Sequence, residues 1–218
     1  MQEEERIIPE GNAKNIRNGM PKVKRERVEE IESQINHDVM AVVKALEEQS
    51  GESGKWIHFG ATSYDIVDTA RALQHKKAID LIEKAIKELL KSLADLSSKH
   101  KKTVMLGRTH GQWATPITFG LKLASFYEEF KRNRKRLHDA IKEVSSCAIS
   151  GAVGTYANIN PKVEKYVAKK LGLYVEPIST QIIPRDRHAF YFSILGIIAG
   201  SLERVSIEIR HLQRSEVY

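Results

Sequence analysis

Cysteine is all but missing from this 218-residue chain, where Cys147 stands alone. One thiol cannot close an internal disulfide, which excludes a disulfide-stapled secreted scaffold and fits a reducing compartment. A lone cysteine is ordinarily a small buried apolar residue rather than a nucleophile. Aromatic residues are few, and they are not interleaved with basic runs. The net charge of +7 therefore does not describe a nucleic-acid surface: 35 lysines and arginines are mixed with 28 acids along helical faces, where they read as solvated surface with a modest pull on anions. No apolar run approaches the roughly 20 residues of a membrane span, and the most apolar stretch, residues 190–200, is too short. The start, MQEEERIIPEGN, is acidic and has no apolar core, so it is not a secretory signal. These absences predict a soluble cytoplasmic protein with neither membrane nor nucleic acid as partner. Repeats and low-complexity segments are also lacking.

What is present is a helical pattern. The chain is long enough to bury a core in one large or two small domains, with 41% hydrophobic residues. Residues 1–20 carry Pro9, Gly11, Asn12, Asn18 and Gly19 and read as a lead-in loop. Over 23–49, Val28, Ile31, Ile35, Val39, Val42 and Leu46 step by three or four, which predicts a single helix. On it His37 falls about 180° from Val28 at roughly 100° per residue, off the apolar stripe, beside Asp38. After a glycine-bounded break at 51–60, Thr62 and Ser63 offer an N-cap, with Asp65 and Asp68 in the first turns, where acids suit the helix dipole. The pattern then runs without glycine or proline to about His100, close to 55 Å at about 1.5 Å per residue. A helix of that length needs partners along it, so a long bundle, and contact with other subunits, is predicted. Free N–H groups beside two hydroxyls at its start could also hold a carboxylate or phosphate, although capping alone accounts for them.

The stretch GRTHGQWATPITFG, residues 107–120, interrupts two long helical patterns and is too rich for a simple connection. Arg108, Thr109, His110 and Gln112 stand together between glycines, combining proton-transfer and anion-binding groups. Thr115-Pro116 reads as a cap and first helical residue, predicting a helix from there to about Ser146. The glycine-rich segment 150–155 follows a helix with no strand before it, which argues against a phosphate-binding loop. Residues 161–172 read as a short helix and 173–184 as a crossing segment that delivers Gln181. The last helix is predicted over 189–218, apolar at first and charged from Glu203 onward, with its pattern still running at the final residue. The fold class expected is all-α, with residues 1–60 an N-terminal helical portion and 61–218 a long-helix bundle domain.

Three separated segments, HFGATSYDIVDTA (58–70), GRTHGQWATPITFG (107–120) and the run from PRDRHAF (184–190) to RSEV (214–217), together resemble the adenylosuccinate lyases of the fumarase/aspartase superfamily. The first segment also resembles the 3-carboxymuconate cycloisomerase branch, but His110 in Arg-Thr-His favours the lyases. The resemblance implies β-elimination of fumarate from adenylosuccinate and from succinylaminoimidazole carboxamide ribotide, with no metal or organic cofactor. It implies His110 as general acid and Thr109 as substrate contact. Thr62 and Ser63 become the carboxylate-binding pair, His37 and Asp38 a pair on the nucleotide side with His37 in the catalytic set, and His58 and Gln181 further binding residues. It also implies a homotetramer whose long helices bundle together and whose active sites are each shared by several subunits. The family's phosphate-holding Arg-Tyr segment and its serine-bearing mobile loop, which supplies the base, are not found in these residues. The chain is accordingly expected to be an inactive fragment on its own. A superfamily relative acting on another carboxylate substrate, or a helical assembly module without chemistry, are the competing readings.

Overall fold

The structure is a computed structural model that describes residues 1–217. Seven α-helices and two small two-stranded sheets are found among them: α1 (Asn12–Gly19), α2 (Arg25–Ile35), α3 (Asp38–Glu48), α4 (Ser63–Lys99), β1 (Val104–Thr109), β2 (Gln112–Thr118), α5 (Phe119–Val144), β3 (Ser146–Cys147), α6 (Pro161–Leu171), β4 (Tyr174–Val175) and α7 (Asp186–Leu212). The class is all-α, as expected. The residues group into two compact units, Met1–Gln74 with Ser145–Pro184, and His75–Val144 with Arg185–Tyr218. Helix α4 contributes its first turns to one unit and the remainder to the other.

In the unit built on 75–144 and 185–217, α4, α5 and α7 enclose one apolar core. Ile79, Ile86, Leu90 and Leu93 of α4 meet Phe126, Phe130, Leu137 and Val144 of α5 and Tyr191, Ile194 and Ile198 of α7. Phe130 and Leu137 are 0% exposed. Spacings of three, four and seven along each helix place these residues on one face, which is why three long helices share a core. Asn133 is also fully buried there, and its amide donates to the Ser201 hydroxyl at 2.7 Å. By length and composition α7 is long and apolar enough to cross a membrane, and 22% of its most apolar window is buried within the chain. The apolar character therefore extends beyond the 190–200 stretch that looked too short in the sequence.

The other unit holds three smaller cores. Ile31, Ala41 and Ala45 pack α2 on α3. Ala72, Cys147, Ala168 and Leu173 pack the end of its share of α4 on α6 and the parallel β3–β4 pair. Ile149, Ile159 and Val163 close the third.

Several sequence expectations change. The lead-in is not loop throughout: α1 forms at its end, and Glu3 Oε1 accepts from the Ala13 N–H at 2.7 Å, satisfying a first-turn donor in a way that no local motif announces. Residues 23–49 form two helices, since Asn36 adopts a left-handed conformation (φ 51°) and ends α2. Asparagine tolerates that region without glycine. The last helix stops at Leu212 and is followed by a 3-10 turn at Ser215–Val217; its expected end at Tyr218 lies outside the described residues.

The largest change is at 104–118, where an antiparallel hairpin replaces the expected loop and helix start. Pro116 lies in β2 opposite Leu106, and the fifth helix begins at Phe119. In a two-stranded ribbon every strand is an edge, so proline's missing N–H is tolerated. The cap is Thr118, whose Oγ1 accepts from the Leu121 N–H at 3.1 Å.

Candidate active site

The first turn of α4 gathers one set of the residues singled out in the sequence. Thr62 precedes the helix, and its N–H donates to Asp65 Oδ2 at 2.9 Å, the reciprocal half of a capping box. Asp65 is only 1% exposed, and its carboxylate also accepts from the Ser150 and Gly151 N–H groups at 3.1 Å each. Three backbone donors on one buried carboxylate satisfy a charge that burial alone would penalise heavily. Two amides of the glycine-rich turn are thereby committed to Asp65, which gives the physical reason why this turn is not a phosphate cradle.

Gln181 reaches the same place from the crossing segment, where its Nε2 donates to Thr62 Oγ1 at 3.3 Å across 119 residues of sequence. Ser150 Oγ lies 2.9 Å from Ser179 Oγ. Gly154 is required between these segments: a Cβ there would lie 2.2 Å from the Ser179 carbonyl oxygen, and its φ is +78°. Ser63, half-buried, is the first residue of α4.

His58 is half-buried, adopts a left-handed φ of 64°, and keeps its Nε2 buried with no hydrogen-bond partner. Its carbonyl accepts from the Ala61 N–H at 3.1 Å, which ties it to the approach into α4. A buried ring nitrogen without a partner carries a desolvation cost that a bound polar group would relieve.

His37 is the N-cap of α3 rather than a residue on the far face of a continuous helix. Its Nδ1 accepts from the Met40 N–H at 3.4 Å. Asp38 Oδ1 lies 3.5 Å from the same Nδ1 and accepts from the Val39 N–H at 2.7 Å, so the two side chains are close neighbours. Both side chains are exposed.

Thr109 and His110 belong to the other unit, at the end of the hairpin. Thr109 pairs with Gln112, leaving His110 and Gly111 as a two-residue turn with φ of 53° and 71°. Both positive values mark a type I′ turn, whose twist suits a hairpin and which normally selects Asn-Gly. Histidine at the first turn position presents an exposed imidazole at the tip. Directly opposite residues share a face of a ribbon. Thr109 and Gln112 therefore share one face, while Arg108 and Trp113, the latter 80% exposed, share the other.

The geometry thus joins Thr62 directly to Gln181 and sets His37 beside Asp38, with Thr109 and His110 adjacent on the hairpin. Sequence reasoning gave Asp65 and Asp68 only a dipole role and passed over Glu164, a third buried carboxylate in the same unit. A charged residue at the start of an apolar helix pattern was the available signal, but its partners lie far away along the chain.

A family profile described as "Lyase" matches residues 5–218. The chain is 47% identical over 215 residues to an adenylosuccinate lyase of Thermotoga maritima, covering 99% of this chain and 50% of that protein. It superposes on a fumarate lyase from Mesorhizobium sp. BNC1 with a TM-score of 0.93 at 34% identity, covering 99% of this chain and 52% of the other. A 3-carboxy-cis,cis-muconate lactonizing enzyme from Pseudomonas putida gives a TM-score of 0.82 at 31% identity, over 89% and 45% of the two chains. The chain thus spans about half the length of the proteins it matches. The profile spans all but the first four residues, and the chain belongs to the lyase family of the fumarase/aspartase superfamily.

Proposed function

We propose that the whole protein is an adenylosuccinate lyase, a carbon–nitrogen lyase that releases fumarate from adenylosuccinate to leave AMP, and from succinylaminoimidazole carboxamide ribotide in purine synthesis. The observation that carries this reading is the hydrogen bond between Gln181 and Thr62, which brings two residues with substrate roles in the resemblance to one helix start. In the reaction a base removes the proton from the carbon beside a succinyl carboxylate. The electrons of that C–H bond form the fumarate double bond as the C–N bond breaks, and the departing nitrogen takes a proton from an acid. His110 serves as that acid and Thr109 holds the substrate beside it. Thr62 and Ser63, with the free N–H groups of α4, bind a carboxylate whose charge grows in the transition state. Gln181 and His58 add polar contacts, and His37 and Asp38 act on the nucleotide side. The base comes from outside the residues described.

In this reading the enzyme needs no cofactor and works in the cytoplasm as a homotetramer with shared active sites, residues 61–218 belonging to its long-helix domain. Exposed apolar residues on α7, among them Phe192, Ile197, Leu202 and Ile209, support burial against other subunits instead of lipid. A cycloisomerase-type reaction is the second reading, favoured by the likeness to the lactonizing enzyme.

The test is absorbance-monitored cleavage of adenylosuccinate by the chain extended to the full length of its relatives, with His110→Asn alongside. Asparagine accepts the left-handed turn but removes the imidazole. Cleavage by the extended chain that falls at least 100-fold in His110→Asn supports the lyase. An extended, assembled protein that leaves adenylosuccinate intact but lactonizes 3-carboxymuconate moves the assignment to the second reading, and inertness toward both leaves a non-catalytic assembly module.

A further inference from the structure

Asp65 and Asp68 stand three residues apart on α4, on the same side of the helix, and are 1% and 2% exposed. Each ties a different distant segment to the helix start. Asp65 holds the 150–151 turn as described. Asp68 Oδ2 accepts from the Ile183 N–H at 3.0 Å, across 115 residues, while Arg71 lies 3.7 Å from its other oxygen. Ile183 is itself buried, and it lies two residues after Gln181.

The Gln181 side chain is exposed, and its bond to Thr62 is long for an N–H···O contact. A neutral hydrogen bond of that length cannot order a flexible glutamine by itself. The backbone that carries Gln181 must therefore be fixed by something stronger, and the charge-assisted bond two residues away meets that need.

We propose that Asp68 is a positioning residue for Gln181: its buried carboxylate pins the 181–183 backbone to the first turns of α4 and so holds the Gln181 amide at the Thr62 hydroxyl. The functional part of this inference rests on the reading of Gln181 and Thr62 as substrate contacts. Asp68 does not touch the reacting atoms. It acts through Gln181, just as Asp65 holds a different segment of the same unit.

The test uses the full-length enzyme carrying Asp68→Ala, Asp68→Asn, Gln181→Ala and the double variant Asp68→Ala/Gln181→Ala. Asp68→Ala is expected to raise KM about tenfold with a smaller change in kcat, and the double variant to be no worse than Gln181→Ala alone. Asparagine keeps an acceptor oxygen for the Ile183 N–H but loses the charge, so Asp68→Asn is expected to fall between wild type and Asp68→Ala. Effects that multiply in the double variant, or a loss of active fraction at unchanged KM, would overturn the proposal. Should alanine prevent folding, Asp68→Ser, polar but too short to reach the amide, takes its place.

Hydrogen exchange read by mass spectrometry supplies the arm that does not depend on turnover. In Asp68→Ala, a peptide covering 181–184 should exchange at least tenfold faster while one covering 149–152 keeps its rate. Equal acceleration of both, or of neither, refutes the pinning. A wild-type enzyme inert toward adenylosuccinate removes the assigned substrate, while the exchange result still decides whether Asp68 holds this segment.

Discussion

The Tyr156 hydroxyl donates to Glu164 Oε2 at 2.7 Å, while Oε1 of the same carboxylate accepts from the Ile149 N–H at 2.8 Å. Glu164 is 1% exposed, so these bonds close both ends of the 149–156 loop onto α6. Burial first, and the Glu164 bond second, push the Tyr156 hydroxyl up to about 12.

Tyr156→Phe removes one of the two donors and leaves a carboxylate oxygen buried without its partner. A cost of about 1.5–3 kcal/mol in urea unfolding is expected. The pH dependence has a definite sign. The folded hydroxyl titrates above its unfolded value near 10, so its contribution is complete below pH 10 and is lost as pH rises toward 12. The stability gap between wild type and Tyr156→Phe should therefore be flat up to pH 10 and narrow above it. A gap that widens there contradicts the assignment.

The hairpin turn separates backbone need from chemistry. Gly111→Ala puts a side chain at φ 71°, which costs about 1–2 kcal/mol locally and should speed exchange of the 104–118 amides several-fold. His110→Asn should leave that exchange unchanged. If both variants loosen the hairpin equally, the imidazole is needed for the turn itself.

How much of this was legible beforehand depended on the range of the interaction. Helix α4 was read almost to its last residue, because 37 residues without glycine or proline carry one continuous signal. Pro161 and Gly172 likewise marked α6, whose cap Asn160 accepts from the Lys162 N–H. The hairpin was missed because His-Gly replaces the usual Asn-Gly and because Thr-Pro within β2 imitates a helix start. The break at Asn36 was missed because neither glycine nor proline marks it. Thr62 was legible as a cap beside free N–H groups and Gln181 only as part of a crossing segment, and their contact could not be named at all. Asp65 and Asp68 find partners 85 and 115 residues away, and no local pattern encodes such distances.

Cys147 should be inert in the folded chain. It is fully buried, and burial pushes its thiol up to about 11, so almost no thiolate exists at neutral pH. An aromatic disulfide reagent should titrate no thiol in the native protein and one after denaturation in urea. Rapid native labelling would show that the packing of Ala72, Ala168 and Leu173 around Cys147 opens readily.

The α5–α7 contact offers a last test, because its single buried amide is a liability unless paired. Asn133 donates to the Ser201 hydroxyl at 2.7 Å and accepts from Arg136 Nη1 at 2.7 Å, so the side chain is bonded at both ends beside the apolar core shared by these helices. Ser201→Ala strands the amide donor and should cost about 1–3 kcal/mol, more than the small hydroxyl itself is worth. Replacing both partners, Asn133→Leu with Ser201→Ala, removes the stranded group and fills its volume with apolar atoms. That double variant should recover most of the loss in chemical denaturation. If it is instead less stable than Ser201→Ala alone, the Arg136 bond to Asn133, and not the Ser201 bond, is what holds this part of α5 in place.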